Sequence, residues 1–368
     1  MKKLCLIYDT APRYRESIYQ KIDESYDCDW FFGNINAGVK EMDYTILRNV
    51  KRYNIIGNLN QVYWQCGILS LLFSNKYDTY FVGSETRAIS KWLFFFLACL
   101  LFPDKKIYVW THGWYGKESR WQAIIKKWIY NHVTGAFLYG NYAKNQMIKA
   151  GIKENKLYVI HNSLHYDQQI RLRKSIKPSN IYVEHFKSNK PIIIFIGRLT
   201  AIKKLDFLIY ALKKLKDKGE YYNLVFIGNG SEYGKLKSMV DNVNITDQVW
   251  FYGACYDEKT NAELIVNADL CVAPGNVGLT AMHSMVFGCP VISHNDFKWQ
   301  MPEFESIRQG KTGDFFEKDN VDSLCDTISK WFANMGNRRE EIRQNCYAEI
   351  DLQWNPYYQM KIIQSIIK

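Results

Sequence analysis

Short runs of β-branched and aromatic residues alternate along the chain with longer segments of helical period, a pattern of parallel βαβ units rather than of a sandwich or a bundle. In the first half the spacing predicts strands over residues 4–8, 30–32, 80–82, 107–111, 136–139 and 157–160, with helices between them, among them 15–24 and 119–131. A second series opens at Pro191 and predicts strands over 192–196, 224–227, 249–252, 270–272 and 291–293. Between the two series, residues 163–190 are polar and charged without strand alternation, and they read as an interdomain connection with some local helix. Apolar residues in 355–368 share one helical face, so the chain closes with a helix.

Length agrees with this division: 368 residues suit two α/β domains of ordinary size, and a 47% hydrophobic share supplies both cores while excluding a disordered chain. Charge separates the halves. Residues 1–180 hold 26 Lys+Arg against 14 Asp+Glu, a net +12, and residues 181–368 hold 22 against 23. The first half is therefore either a solvated basic face or a surface for an anionic partner such as acidic lipid, a diphosphate-linked molecule or nucleic acid. Nine cysteines lie scattered without a C-x-x-C pair, which argues against zinc and a disulfide framework and for reduced core thiols. MKKLCLIYDT reads as a first strand rather than a signal peptide. The strongest apolar run, residues 92–102, falls short of the ~20 residues needed to cross a bilayer. It is a buried helix or a shallow membrane contact.

Two clusters could carry chemistry. Phe195-Ile196-Gly197-Arg198-Leu199, followed by Lys203 and Lys204, sets cations beside a glycine turn at a helix start, which suits a diphosphate or is ordinary surface basicity. The segment from Ala273 to Ile292 is more specific: a strand end, a glycine loop over 275–278, a helix, a Gly288 stop and a strand launched by Pro290. Such loops lie at the carboxyl ends of parallel strands, where α/β sheets bind ligands. His283, on the helix, is either a core histidine or part of that site.

Taken in order, Gly197-Arg198-Leu199 with Lys203, Gly228-Asn229-Gly230, Tyr252-Gly253, Gly278-Leu279 through Pro290-Val291-Ile292, and Gly310-Lys311-Thr312-Gly313 resemble the donor-binding domain of GT-B glycosyltransferases of family 4, the retaining group. The likeness covers residues 191–335 and extends more weakly through residues 11–15, Thr111-His112-Gly113 and Val159-Ile160-His161-Asn162. It implies an α/β fold of GT-B type, two Rossmann-like domains with parallel sheets facing each other across a cleft. Residues 1–170 would form the acceptor-side domain, 171–350 the nucleotide-sugar domain, and 351–368 a helix packing back on the first.

The resemblance further implies that Arg198 and Lys203 neutralise the donor diphosphate in place of a metal, with Gly197 and Gly228 in the adjoining turns. Gly278 and Leu279 would meet phosphate or sugar through backbone amides, with the amides near Asn276 and Val277 for sugar hydroxyls and Thr280 also on the donor side, and Gly253 with Ala254 would wall the base. His112 would face the donor sugar, with Tyr14, Arg15, Gly113 and Asn162 on the acceptor side and Glu305 near the donor in a role left open. The implied reaction moves a sugar from a UDP- or GDP-sugar to a hydroxyl of a glycan, lipid-diphosphate-linked acceptor, with retention and without a cofactor or nucleic acid. Its implied setting is capsule or O-antigen assembly on the cytoplasmic face of the inner membrane, with peripheral contact to anionic lipid.

One departure from the family is clear. Its members carry two glutamates with seven residues between them; here those positions are Gly275 and His283. A carboxylate accepts from two ribose hydroxyls at once, whereas a neutral imidazole offers one acceptor and one donor, so ribose recognition must be rebuilt. Two other readings stand beside the transferase: a nucleotide-sugar epimerase on the same scaffold, and a non-enzymatic basic protein that binds nucleic acid or membrane. Against the second, the half that holds the specific motifs has net charge −1.

Overall fold

The computed structural model describes residues 3–34, 40–58, 61–85 and 87–367. Two compact units divide the chain, Met1–His165 with Asn355–Lys368, and Tyr166–Trp354.

In the first unit the order is β1 (Lys3–Tyr8), α1 (Glu16–Ser25), β2 (Cys28–Gly33), β3 (Val50–Tyr53), β4 (Ile55–Gly57), β5 (Tyr63–Gln65), β6 (Tyr77–Gly83), α2 (Ile89–Leu101), β7 (Lys106–Thr111), α3 (Arg120–His132), β8 (Gly135–Leu138), α4 (Asn141–Lys149) and β9 (Leu157–Val159). Seven of these strands form one parallel sheet, β3-β2-β1-β6-β7-β8-β9, and β4 pairs with β5 as an antiparallel hairpin. Alternation along β1 explains why both faces are covered. Leu4, Leu6 and Tyr8 join Ile18, Ile22, Met360 and Ile363 in one cluster, and Cys5 and Ile7 join Phe94, Ala98, Ile129 and Tyr130 in the other.

The second unit runs α5 (Tyr166–Ser175), α6 (Ile181–Phe186), β10 (Ile192–Ile196), α7 (Leu205–Asp217), β11 (Asn223–Ile227), α8 (Tyr233–Asn242), β12 (Val249–Gly253), α9 (Glu258–Val266), β13 (Leu270–Ala273), α10 (Thr280–Met285), β14 (Val291–His294), β15 (Gly313–Phe316), α11 (Val321–Met335) and α12 (Arg339–Gln353). Its six strands are also parallel, ordered β12-β11-β10-β13-β14-β15. Each sheet reverses its direction of growth once, at β1/β6 and at β10/β13, which opens a crevice at the strand carboxyl ends.

The eleven predicted strands are present, and β3, the hairpin and β15 are additions. β3, Val-Lys-Arg-Tyr, lies at a sheet edge with two exposed cations, so it lacks the apolar run of an inner strand. The polar stretch 163–190 holds α5 and α6, both in the second unit. The apolar run 92–102 lies in α2 and is not wholly buried: Phe94, Phe95 and Ala98 face the core while Leu93, Phe96 and Leu100 are exposed.

The last helix, α13 (Pro356–Ile366), belongs to the first unit and packs on α1. Buried Gln359 fixes it, donating to the His161 carbonyl at 2.9 Å and accepting from Ser163 Oγ at 2.6 Å. Gln359→Ala leaves both groups buried without that partner, and urea denaturation should show the first unit less stable by about 1–3 kcal/mol. An unchanged midpoint would mean that water replaces the clamp.

Candidate functional site

At the β10/β13 reversal, the loop after β10 carries Gly197, Arg198 and Lys203, and the loop after β13 carries Gly275 through Leu279. Lys203 ties the two together. Its ammonium donates to Asn276 O at 2.7 Å, to Asn276 Oδ1 at 2.9 Å and to Val277 O at 3.4 Å, and its own carbonyl accepts from Gly275 N at 2.9 Å. This approach is possible only with glycine at 275, where an added Cβ would lie 2.1 Å from Ile202 O. Gly228 has the same constraint, since a Cβ there would lie 1.9 Å from Gly197 O. Burial, ahead of the repulsion from Arg198, lowers the Lys203 pKa to about 8, against the pull of buried Glu303.

Residues that the sequence reading did not single out brace the loop. Gln300 Oε1 accepts from Val277 N at 2.9 Å, and Gln300 Nε2 donates to Ser293 Oγ at 2.8 Å and to His294 O at 3.0 Å. Ser293 Oγ in turn donates to Ala273 O at 2.8 Å. Val277 is therefore a correction to the expected amide set: it is buried and its N–H is already engaged by Gln300. Thr280, expected on the donor side, has its hydroxyl turned inward, donating to Ile196 O at 2.7 Å and holding β10 to α10. The amides of Gly278, at φ 55°, and of Leu279 meet no acceptor among the described residues. Arg198 is exposed, and its guanidinium makes no hydrogen bond or ion pair to any described residue.

Beside this loop, Gly253 (φ 93°) accepts through its carbonyl from Gly228 N at 2.8 Å, and Ala254 is exposed. His283 Nε2 lies 3.1 Å from Glu258 Oε1, which also accepts from Gln169 Nε2 at 2.7 Å. A carboxylate thus stands next to position 283, supplied by α9. Sequence reading missed it because Glu258 opens an ordinary polar helix start, with Asp257 as N-cap. Glu305 is half-buried in the turn Pro302–Ser306.

In the first unit, a cavity of about 470 Å³ opens at the ends of β1, β6 and β7, lined by Asp9, Arg15, Glu85, His112, Lys126 and Tyr139 among others. Arg15 is held by Tyr19 at 3.1 Å and by Tyr139. Solvent reaches His112, yet burial first and the Arg15 charge second push its pKa down to about 4, so the ring is neutral at pH 7. Asp9, absent from the sequence reading, is bound by Tyr63 and by Lys91 at 2.9 Å. Burial, with Glu85 second, pushes its carboxyl up to about 7 against Lys91. Of the expected acceptor-side residues, Arg15 and Gly113 line this cavity, whereas Tyr14 and Asn162 do not. Asn162 is buried, and its Oδ1 accepts from Ser163 N. No group of three or more His, Cys, Asp or Glu among the described residues is placed to hold a metal ion.

Two doubly wound parallel sheets in one chain, each with a polar crevice at its reversal, match the GT-B class of fold seen in solved glycosyltransferase structures. Residues 177–349 match the family described as glycosyl transferases group 1. It is 24% identical over 198 residues to an uncharacterised 41.2 kDa protein in the cps region of Klebsiella pneumoniae, covering 53% of this chain and 51% of that one. It is 27% identical over 209 residues to an uncharacterised glycosyltransferase of Methanocaldococcus jannaschii, covering 54% and 50%. The chain thus spans about half the length of these curated relatives. Among solved structures, Anabaena HepE in complex with UDP superposes with a TM-score of 0.76 at 14% identity over 99% of both chains, and its complex with UDP-glucose with 0.72 at 15%, also over 99% of both. At such identity the likeness speaks for the fold.

The crowding at Gly275 gives a sharp expectation. Gly275→Glu, which writes the family carboxylate back into the loop, should cost about 3 kcal/mol or more in a denaturant titration, because backbone atoms cannot yield to the added Cβ. A stable Gly275→Glu protein would show that the loop opens far more easily than this packing allows.

Proposed function

We propose that the protein is a glycosyltransferase that takes a sugar from a nucleoside-diphosphate sugar, UDP-linked in the first instance, and passes it to a glycan hydroxyl with retention. The observation that carries this reading is the Arg198 guanidinium, without a partner among the described residues, set with Lys203 and the Gly278 and Leu279 amides, likewise open among those residues, at the sheet reversal of the family-matching unit. UDP and UDP-glucose in the HepE complexes support the choice of donor. A relative in a cps region is in keeping with a glycan acceptor, which in this proposal is carried on a lipid diphosphate, as in cell-surface polysaccharide assembly.

In the proposed mechanism the protein's own groups meet the charge. As the anomeric C–O bond to the diphosphate breaks, the acceptor oxygen bonds the same carbon from the same face and its proton passes to the departing phosphate. Arg198 and the Gly278 and Leu279 amides meet the negative charge that grows there. A phosphate oxygen replaces Asn276 Oδ1 on Lys203, whose charge then faces the diphosphate rather than the loop. Glu258, held by Gln169 and His283, accepts from the ribose hydroxyls in place of the glutamate absent at 283.

Arg198→Ala should lower turnover with the true donor by about two orders of magnitude, since one preorganised contact to a developing oxyanion is worth roughly 3 kcal/mol. Undiminished turnover would remove Arg198 from the reaction. Lys203 sets the pH dependence. Its free-state pKa of about 8 rises when a diphosphate arrives, so binding is strongest while the ammonium is protonated and weakens as pH climbs through that value. Calorimetric titration of UDP should show level affinity below about pH 7 and a decline approaching tenfold per unit above about pH 8.5. A flat profile would place Lys203 outside the diphosphate site.

A further inference from the structure

The helix that lines the first-unit cavity, α3, and its neighbour α2 turn apolar stripes outward. On α2 the exposed residues Ile89, Leu93, Phe96 and Leu100 recur at intervals of four, three and four, one continuous stripe of a helix. On α3, Trp121, Ile124 and Ile125 are 75%, 53% and 51% exposed. Phe96 and Trp128 pack with ring centroids 5.4 Å apart and join the stripes into one face. The inner side of α3 is quite different: Lys126 lines the cavity and pairs with Glu118 at 3.0 Å, and Ile129 and Tyr130 enter the core. One helix therefore forms both a wall of the cavity and an outer apolar surface.

Charge identifies what that surface meets. Residues 89–132 contain seven Lys+Arg and only two acids, Asp104 and Glu118, and Glu118 is taken by Lys126. Lys117, Arg120 and Lys127 stand exposed around the tryptophan end of the stripe. Over the whole first unit there are 24 Lys+Arg against 13 Asp+Glu, whereas the second unit has 24 of each, so the entire +11 belongs to the unit that bears this face. A second copy of the chain would press like charges together at such a face. An apolar stripe with an exposed Trp and a cationic margin matches instead the boundary between acyl chains and anionic headgroups. No described helix is long and apolar enough to cross a membrane, which leaves shallow contact as the way to bury the stripe.

We propose that the α2–α3 face is the surface by which this protein docks on an anionic lipid bilayer, with Trp121, Ile124 and Ile125 entering the headgroup boundary and Lys117, Arg120 and Lys127 meeting lipid phosphates. Docked in this way, α3 brings the cavity beside it to the membrane surface, where a lipid-anchored acceptor is held. The assignment does not require the transfer reaction, because vesicle binding is read without a donor.

Flotation of the full chain with vesicles tests it. At about 50 mM salt the protein should float with phosphatidylcholine vesicles containing about 30% phosphatidylglycerol, should float poorly with phosphatidylcholine alone, and should be released at about 500 mM salt. The double variant Trp121→Ser, Ile125→Ser and the charge variant Lys117→Glu, Arg120→Glu should each bind the anionic vesicles at least tenfold more weakly, with an unchanged thermal midpoint and unchanged UDP affinity. Failure of the unaltered protein to float, or flotation of either variant equal to that of the unaltered protein, overturns the proposal. A dimer in sedimentation analysis that Trp121→Ser, Ile125→Ser dissolves would give the face to a second copy and overturn it as well.

Discussion

One ammonium group holds the second unit's crevice in shape. Lys203 reaches from the loop after β10 to two carbonyls of the loop after β13, and the Gly275 amide returns a bond to the Lys203 carbonyl. Parallel strands on either side of a reversal send their loops apart, so a crevice forms by topology alone. Its width is another matter. Here the ammonium and the return bond draw the two loops into backbone contact, which is why the sequence has glycine at 275, and why Gly228 lies against Gly197 one strand further on. Burial lowers the pKa of this ammonium to about 8, and an arriving anion favours its charged form.

The same geometry sorts the crevice into framework and contact surface. Val277 N, Thr280 Oγ1, Ser293 Oγ and Gln300 are bonded inward and hold the loop. Arg198 and the amides of Gly278 and Leu279 are left outward, without partners among the described residues. Donors fixed by a packed loop need not reorganise when charge appears in front of them, which is the source of electrostatic catalysis. The relocated carboxylate follows this logic. Position 275 cannot carry a side chain once the loops touch, and position 283 carries an imidazole, so the acid near the helix comes from α9, oriented by Gln169 and His283.

Much of this was legible in the sequence where the signal is local. Inner strands such as Ile192–Ile196 announce themselves as apolar runs, and the glycines at 197, 228, 275 and 278 mark loops that approach one another or adopt φ values other residues avoid. What escaped was non-local or low in contrast. Glu258 meets His283 across 25 residues and Gln169 across 89, and no spacing rule joins them. Asp9, Tyr63 and Lys91 converge only because β1 and β6 are neighbours in the sheet. Edge strand β3 is hidden by its own cations, and which loop amides are already engaged depends on Gln300, which reaches Val277 from 23 residues away.

The two units use charge over different ranges. The second has as many acids as bases, so no long-range field draws an anion to it; its cations act by position, within the ~8 Å over which salt leaves an interaction unscreened. A diphosphate is small enough to be held that way. The first unit's excess is spread over many residues, several of them around an apolar stripe, and a distributed excess is effective only against a distributed partner. An extended anionic surface meets several of these cations at once, and their modest individual contributions then add. Neutrality in one unit and surplus in the other fit the two partners proposed for them, a compact anion and a broad one.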